Sequence, residues 1–238
     1  MSDLQSAGAP VLTIDGPSGA GKGTVSSRVA RALGWNVLDS GAVYRTVALA
    51  ALQRGLSADD EGALVELCRD LRLAFRAGEE GIEVLLDDRP VGDALRAEQV
   101  GVMSSQVAAV PAVREALLDL QRSFQAAPGL VADGRDMGTV VFPDAEVKVF
   151  LDASVAERAR RRYQQLKDKG QLKDKGEDVT FDRLFRDLED RDRRDRERSV
   201  SPTIPADDAV VVDSTRMTLD EVVDRVEELV RQRLQPTG

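Results

Sequence analysis

Short apolar runs alternate with longer polar stretches of helical periodicity along this chain, and an aspartate follows each of five runs. The runs are residues 11–14 before Asp15, 37–38 before Asp39, 130–132 before Asp133, 147–151 before Asp152 and 210–212 before Asp213. Mostly apolar strands separated by helices are typical of a doubly wound parallel sheet, which binds ligands beyond the carboxyl ends of its strands. We therefore predict an α/β fold with a five-stranded parallel sheet flanked by helices, and expect several of these aspartates near a ligand. Asp152 is expected instead to end its strand or cap the next helix.

The middle of the chain breaks this alternation. Residues 71–76 and 82–86 are strand-like segments on either side of a Gly-Glu-Glu-Gly turn, which predicts an antiparallel hairpin, and residues 87–91 are expected to add a short third strand. A small β-rich insertion thus interrupts the parallel core over roughly residues 70–95. Its position is consistent both with decoration and with a flap that covers a substrate.

Composition restricts the chemistry. The 238 residues include no histidine and a single cysteine, Cys68. These counts exclude a Ser-His-Asp triad, a Cys-His pair, His-ligated zinc and an intrachain disulfide. Cys68 lies in an apolar-periodic segment and is most simply a small buried residue. Catalysis must therefore rest on lysine, arginine, aspartate and a metal ion.

The net charge of −9 argues against broad binding to nucleic acid or to anionic membranes, although local arginine clusters can still bind small anions. Residues 1–6 contain no basic region followed by an apolar core, and no apolar run is long enough to span a bilayer. We therefore expect a cytoplasmic protein whose partners are small molecules rather than nucleic acid or a membrane.

A glycine-rich segment joins the first predicted strand to the first predicted helix. It almost matches the phosphate-binding loop of proteins that bind nucleoside triphosphates, in which Ser or Thr follows the lysine. Its glycines let backbone N–H groups converge on one anion, and the helix N-terminus and the lysine add positive charge. The segment therefore predicts a triphosphate site. It reads Gly16-Pro17-Ser18-Gly19-Ala20-Gly21-Lys22-Gly23-Thr24, so that Gly23 takes the usual hydroxyl position and Thr24 carries the hydroxyl.

Residues 165–170 and 171–176 have the same sequence, Gln-Leu-Lys-Asp-Lys-Gly. This tandem duplication lies between the helix-like residues 155–164 and 181–198. Surface loops tolerate extra residues at little cost, so we expect a mobile surface loop to absorb the extra copy without chemistry of its own. Adaptation to a particular partner is the alternative.

The segment 191–198 carries charges of both signs, which by itself favours a solvated helix face with weak ion pairs. Four of its residues nevertheless fall on one helical face, at i, i+3, i+4 and i+7. Such a face can present guanidinium groups to phosphate oxygens and a carboxylate to ribose hydroxyls. The four residues are Arg191, Arg194, Asp195 and Arg198.

Polar segments also follow the second and third predicted strands, at residues 39–45 and 132–139. Together with the glycine-rich loop, residues 105–109 and residues 191–198, they resemble the motifs of the bacterial cytidylate kinases, a family of nucleoside monophosphate kinases. The resemblance covers residues 11–234, and the chain departs from the pattern at the duplicated hexapeptide. It implies one P-loop kinase domain over residues 1–238, made of a core, an insertion that binds the nucleoside monophosphate and a helical lid. The implied bounds are 10–69, 108–154 and 199–234 for the core, 70–107 for the insertion and 155–198 for the lid.

The resemblance implies in-line transfer of the γ-phosphoryl group of ATP to CMP or dCMP, with Mg²⁺ as cofactor. Lys22, Arg135 and Arg194 would be catalytic, and Thr24 would contact the metal, directly or through water. The lid arginines would close over the donor and exclude water. The implied lid residues are Arg158, Arg161, Arg162 and Arg194, and the implied ATP-binding residues are Arg161 and the whole loop from Gly16 to Thr24. A monomer is expected.

For the acceptor, the family pattern implies three groups of residues. A further carboxylate, Asp133, would orient their arginines or the waters of the metal. A carboxylate or hydroxyl at the cytosine N4 amino group and a guanidinium at N3 complement cytosine, whereas uracil reverses both partners. The pattern therefore implies a preference for cytosine. The groups are Ser40, Arg45, Arg135 and Arg198 at the phosphate, Tyr44, Arg191 and Asp195 at the sugar, and Ser105, Arg114 and Asp136 at the base.

Two other functions remain as alternatives. A kinase for UMP or another small acceptor would use the same donor loop. A nucleotide-dependent switch would order its loops around GTP and usually carries an Asn-Lys-x-Asp motif that reads guanine. Val37 follows Asn36, the only asparagine of the chain, so that motif is absent.

Overall fold

Parallel strands form the centre of the computed structural model, which describes residues 8–79, 81–168, 170, 172–174, 177–197 and 201–234. The strands are β1 (Val11–Asp15), β2 (Asn36–Asp39), β3 (Leu73–Ala77), β4 (Ile82–Leu86), β5 (Arg89–Pro90), β6 (Leu130–Asp133), β7 (Val147–Asp152), β8 (Lys173–Asp174), β9 (Glu177–Asp178) and β10 (Val210–Asp213). The helices are α1 (Lys22–Leu33), α2 (Ser40–Gln53), α3 (Glu61–Asp70), α4 (Glu98–Val107), α5 (Pro111–Arg122), α6 (Val155–Asp168), α7 (Phe181–Glu197) and α8 (Leu219–Leu234).

The central sheet has the strand order β10-β7-β1-β6-β2, and each of its pairings within the described residues is parallel. Each strand carries one of the five predicted apolar runs, so the predicted five-stranded parallel sheet is confirmed. Because side chains alternate across a strand, β1 feeds two cores. Leu12 and Ile14 pack with α1 and α8, whereas Val11 packs with α2, α3 and α5 on the other face. The sheet is therefore covered on both sides by helices.

The predicted hairpin is also confirmed. Strands β3 and β4 are antiparallel, and β5 adds to β4 as the short third strand. The tip of the hairpin is held on α1, because the Ser27 hydroxyl lies 2.7 Å from the Gly78 carbonyl oxygen and 3.1 Å from that of Gly81. Phe75 and Ile82 pack against the same core as α1. The insertion is thus fastened to the helix that follows the glycine-rich loop.

Helices α6 and α7 pack against each other, and the duplicated hexapeptide begins in α6 and ends before α7. The expectation that a loop absorbs the duplicated hexapeptide is wrong for part of it, since α6 extends to Asp168 and includes the first four residues of the first copy. Gln, Leu and Lys are good helix formers, so the helix continues past its expected end. In the second copy, β8 pairs with β9, while residues 169, 171, 175 and 176 lie outside the described residues.

Two smaller observations complete the fold. The Asp152 carboxylate accepts a hydrogen bond from the Ala153 N–H at 2.8 Å, whereas α6 is capped by Ser154, whose hydroxyl accepts from the Glu157 N–H at 3.3 Å. Asp152 thus ends β7 without capping the helix. A search of the described helices finds none with the length and apolar character needed to cross a bilayer.

Candidate active site

The glycine-rich loop has a backbone that only glycine adopts readily. Gly16 has φ 146°, and a Cβ at this position would lie 2.0 Å from the Leu151 carbonyl oxygen of β7. Gly21, with φ 96°, is the N-cap of α1 and has no side chain to occupy the first-turn N–H groups. A helix N-terminus with its amide groups open is an anion site. The loop is therefore shaped for phosphate by its main chain.

The outward carbonyl groups of this loop are held by cationic side chains. The Lys22 ammonium donates to the Pro17 carbonyl at 3.1 Å, the Arg158 guanidinium to Ser18 at 2.8 Å and the Arg161 guanidinium to Ala20 at 3.3 Å. In a trans peptide the N–H points opposite to the carbonyl. Fixing these carbonyl groups therefore also fixes the direction of the amide groups on the other side of the chain.

Arg158 is buried against the glycine-rich loop. It is 2 % exposed and donates to the Ala153 carbonyl at 2.9 Å as well as to Ser18. Its remaining donors meet both carboxylate oxygens of the buried Asp192 on α7. These bonds occupy the guanidinium of Arg158 in this structure, and its expected part in a lid stays a prediction. Asp192 is a residue that the sequence did not single out, since its charge is one of many in segment 191–198.

Arg161 contacts the loop from the same helix. Besides Ala20, its guanidinium donates to the Ser214 carbonyl at 2.6 Å and to Glu157 at 2.8 Å. It thus lies between the glycine-rich loop and the segment that follows β10. Its predicted contact with ATP stays a prediction.

Three of the strand-end aspartates gather near Lys22. The Lys22 ammonium lies 3.9 Å from Asp133, and the charges of Asp39 and Asp15 act on the same lysine. Burial raises the pKa of Asp133 and lowers the pKa of Lys22, while the attraction between the two charges opposes both shifts. Asp213, by contrast, is exposed and accepts from Thr215 at 2.9 Å. Three of the five aspartates thus meet beside Lys22 at one edge of the sheet, and the expectation that this edge binds the ligand stays a prediction.

The Asp15 carboxylate has two backbone partners. It accepts hydrogen bonds from the N–H groups of Met137 and Gly138, both at 2.8 Å. Burial raises the pKa of Asp15 to about 6, against the effect of these two N–H groups, which favour the ionised form. The carboxylate therefore joins the end of β1 to the turn that follows β6.

The predicted base-reading residues come together in part. The Arg114 guanidinium on α5 lies 2.6 Å from the Asp136 carboxylate and 5.5 Å from the centre of the Tyr44 ring. Asp136 is buried, and Tyr44 is 9 % exposed. Ser105 is exposed on α4 and its hydroxyl donates to the Gly101 carbonyl at 3.2 Å. Arg114 reaches the end of α4 through the Ala108 carbonyl at 3.4 Å, one turn beyond Ser105.

Arginines from several elements converge on one region. Burial lowers the pKa of Arg191 to about 10, and the nearby positive charges of Arg135, Arg45 and Arg194 add to the shift. Desolvation and the charges of Arg45 and Arg96 lower the pKa of Arg162. We call these residues the arginine cluster: Arg45, Arg96, Arg135, Arg162, Arg191 and Arg194. Like charges brought together in this way form a site for an anion.

Arg135 of the arginine cluster forms a close ion pair with a carboxylate of α7. The Arg135 Nε atom lies 2.7 Å from the Asp195 carboxylate, which joins the turn after β6 to α7. Ser40 is buried at the start of α2, next to Asp39, whose carboxylate caps that helix by accepting from the Ala42 N–H at 2.9 Å. Arg198 lies outside the described residues. Sequence reasoning did not single out Arg96, which is exposed and lies 3.6 Å from Asp93. It assigned Arg162 to the donor, and no local pattern marks the charges of Arg45 and Arg96 that act on Arg162.

A magnesium ion fits the residues beside Lys22. Mg²⁺ is commonly held by one or two carboxylates together with phosphate oxygens and water. A Cβ at Gly23 would lie 3.4 Å from the Asp133 carboxylate, so Asp133 stands where a side chain at residue 23 would point. No group of three or more acidic, histidine or cysteine side chains that could hold a metal occurs among the described residues. A single carboxylate, Asp133, thus suits a metal ion that is also bound by the phosphate groups of a nucleotide.

Comparison with known proteins gives a consistent result. A family model described as cytidylate kinase matches residues 12–232. The protein named cytidylate kinase from Aeromonas salmonicida (strain A449) is 55% identical over 226 residues, which cover 95% of this chain and 96% of that protein. The one from Vibrio vulnificus (strain YJ016) is 52% identical over 225 residues, covering 94% and 97%. The one from Enterobacter sp. (strain 638) is 53% identical over 228 residues, covering 96% and 98%.

Proposed function

The chain belongs to the cytidylate kinase family, and we propose that it transfers the γ-phosphoryl group of ATP to CMP and dCMP, giving ADP and CDP or dCDP. One observation carries the proposal: two anion sites adjoin at the carboxyl ends of paired strands. The glycine-rich loop follows β1, and Arg135 follows β6, which pairs with β1. A donor triphosphate and an acceptor phosphate bound there meet end to end, as in-line transfer requires.

The chemistry suits a chain without histidine. The attacking group is a phosphate oxygen of CMP, which is already anionic, so no general base is needed. Lys22 follows the transferring group from the donor side. Arg135 and Arg194 neutralise charge on the acceptor and on the group in transit. The close approach of these cations in the structure supports this division of roles.

Mg²⁺ is proposed as the cofactor. When bound, it would neutralise charge on the phosphate groups of ATP. Asp133 is the carboxylate beside Lys22 that would hold it, directly or through its waters, and Thr24 at the start of α1 supplies the nearest hydroxyl of the loop. Gly23 has no side chain to offer the metal, and the Asp133 carboxylate lies 3.4 Å from where a Cβ of residue 23 would stand, which supports Asp133 in this role.

Cytosine is read by the Arg114 and Asp136 pair in this proposal. A carboxylate accepts from the cytosine N4 amino group, and a guanidinium donates to N3. Uracil presents a carbonyl and an N–H at these positions, so it would leave buried polar groups unpaired. The burial of Asp136 and the stacking of Arg114 over Tyr44 support a fixed base site. Ser105 is proposed to complete it from α4.

The acceptor phosphate and sugar are assigned to the arginine cluster. Ser40, Arg45, Arg135 and Arg198 are proposed at the phosphate, with Tyr44, Arg191 and Asp195 at the sugar. The ion pair between Arg135 and Asp195 supports neighbouring sites for phosphate and sugar. The proposed parts are the core at residues 10–69, 108–154 and 199–234, the insertion at 70–107 and the lid at 155–198. We also propose that the chain acts as a monomer in the cytoplasm.

A phosphoryl-transfer assay across CMP, dCMP, UMP and AMP, with ATP and Mg²⁺, tests the proposal. We expect rapid ADP formation with CMP and dCMP, slow formation with UMP and AMP, and slow ATP hydrolysis without an acceptor. Equal ADP release with and without CMP would refute phosphoryl transfer to CMP. A higher kcat/KM with UMP would make this chain a UMP kinase, and tight GTP binding without competition by ATP would favour a switch.

A further inference from the structure

Asp15 lies between the two substrate sites. It is the last residue of β1 and directly precedes Gly16, the first residue of the glycine-rich loop. Its side chain turns toward the acceptor side, where Oδ1 accepts from the Met137 N–H and Oδ2 from the Gly138 N–H, both at 2.8 Å. The residue is 6 % exposed. Both donors belong to the turn that directly follows Arg135 and Asp136.

This turn is held closely against β1. The Gly134 N–H donates to the Ile14 carbonyl at 3.1 Å, and a Cβ at Gly138 would lie 2.9 Å from the Thr13 hydroxyl. The Asp136 carbonyl accepts from the Val140 N–H at 2.9 Å. The turn therefore has little room to shift while Asp15 holds its first two amide groups.

The contact to Met137 fixes the residue that precedes it. The Met137 N–H belongs to the peptide group that joins Asp136 to Met137, so the plane of that peptide is set by Asp15. On its other side, Asp136 presents its carboxylate to Arg114 at 2.6 Å. A change in the peptide plane would thus rotate the Asp136 side chain and its guanidinium partner.

We propose that Asp15 is a positioning residue for cytosine recognition, acting through the Asp136–Met137 peptide on the Arg114 and Asp136 pair. The inference rests on the proposed function and adds a specificity role to a residue at the donor side. A carboxylate is required because both partners are N–H donors and an ionised carboxylate only accepts. Asparagine offers one oxygen, and its amino group would face the second N–H as donor against donor.

The test compares Asp15→Asn with the unaltered chain in kcat/KM for CMP and UMP and in KM for ATP. We expect the ratio of kcat/KM for CMP over UMP to fall at least about tenfold, the loss expected for one hydrogen bond to a charged group. KM for ATP should stay within about twofold, since the loop carbonyl groups are held by other side chains. The control is Asp213→Asn, the same change at the exposed end of β10, which should leave the ratio unchanged.

A second variant tests the same contact in case Asp15→Asn does not fold. Gly138→Ala keeps Asp15 but brings a Cβ against the Thr13 hydroxyl and the Asp15 carboxylate, at 2.9 and 3.4 Å. It should lower the same ratio if the contact positions the base site. If Asp15→Asn does not fold, Gly138→Ala decides the question. A parallel rise in KM for ATP, or a drop in melting temperature with the CMP over UMP ratio unchanged, would overturn the proposal. Failure of the unaltered chain to prefer CMP would instead count against the proposed function.

Discussion

The glycine-rich loop and the arginine cluster, the two proposed phosphate sites, are built by opposite means. The loop is built from main chain, and the cations around it have partners within the protein: Arg158 pairs with Asp192, and Lys22 lies near Asp133. In the arginine cluster, burial lowers the pKa of Arg191 to about 10, and the positive charges of Arg135, Arg45 and Arg194 add to the shift. One region is therefore complete before its ligand arrives, whereas the other holds a repulsion that an anion would relieve.

This difference suggests that the glycine-rich loop mainly positions the transferring phosphoryl group, whereas the arginine cluster mainly sets the affinity for the acceptor. A preorganised loop loses little freedom on binding, so its contribution falls mainly on the transferring phosphoryl group. A cluster of like charges destabilises the empty protein and is stabilised by the acceptor phosphate. Changes in the donor loop should therefore reduce turnover or the integrity of the loop. Changes in the cluster should weaken acceptor binding while easing the strain of the empty site.

The largest effect is expected for Lys22→Ala, which removes the cation at the centre of the donor side. Turnover should fall by about a thousandfold with every acceptor, as when a preorganised group that stabilises transition-state charge is lost. The measurement is kcat with CMP, dCMP and UMP in a coupled ADP assay. Lys167→Ala, at an exposed position of α6, is the control and should keep normal turnover. Substantial turnover by Lys22→Ala with any acceptor would remove the lysine from the mechanism.

The second effect concerns the ion pair below the loop. Asp192→Ala should lower the free energy of unfolding by about 3 kcal/mol, because it leaves the buried Arg158 without its carboxylate. The double variant Arg158→Met with Asp192→Leu removes both charges and should recover most of this stability. It should still raise KM for ATP, because the Ser18 carbonyl loses its donor. Urea unfolding and KM for ATP are the measurements, and a normal KM in the double variant would show that the loop needs no such support.

The third effect tests the acceptor side for base reading. Arg114→Ala and Asp136→Ala should each lower the preference for CMP over UMP by about 10- to 100-fold, since a lost partner leaves a buried group unpaired. Ratios of kcat/KM supply the measurement. Arg69→Ala, exposed at the end of α3, is the matched control. If Arg114→Ala slows CMP and UMP equally, the pair does not read the base.

The smallest effect tests the repulsion directly. Arg191→Gln should stabilise the ligand-free protein by about 1 kcal/mol, as expected when a strained functional residue is replaced, while it raises KM for CMP. Arg193→Gln is the neighbouring control, because Arg193 is exposed and pairs with Asp190 at 2.6 Å. Urea unfolding without ligand provides the comparison. A loss of stability in Arg191→Gln equal to that in the control would mean that the cluster is not strained.

The sequence predicted those features that depend on neighbours along the chain. Apolar runs ending in aspartate located the strands of the central sheet, and the glycine spacing located the loop. Contacts between distant segments could not be predicted in the same way. The bonds of Asp15 to the turn after β6 and of Arg158 to Asp192 join residues far apart in the chain, and nothing near either residue marks its partner.

Local reasoning also failed where two readings of a pattern were close. The first copy of the hexapeptide is polar and ends in glycine, which favours a loop, yet its first four residues continue α6. Arg162 was assigned to the donor from its place on α6, and that role stays a prediction; in the structure, the charges of Arg45 and Arg96 act on it. The end of α6 and the charges near Arg162 both depend on which other elements pack nearby, and the whole fold determines that packing.

The strand order sets the distance between the strands that carry the two proposed sites. β1 lies beside β6, and β6 lies beside β2, each held by main-chain hydrogen bonds that keep neighbouring strands about 4.8 Å apart. The sheet thus sets the spacing of the strand ends from which the glycine-rich loop and Arg135 start. The first four residues of the repeated hexapeptide lie at the end of α6, and β8 belongs to a separate sheet, so these described residues take no part in that spacing. Shortening or lengthening the chain at the end of α6 should therefore leave the spacing of β1, β6 and β2 unchanged.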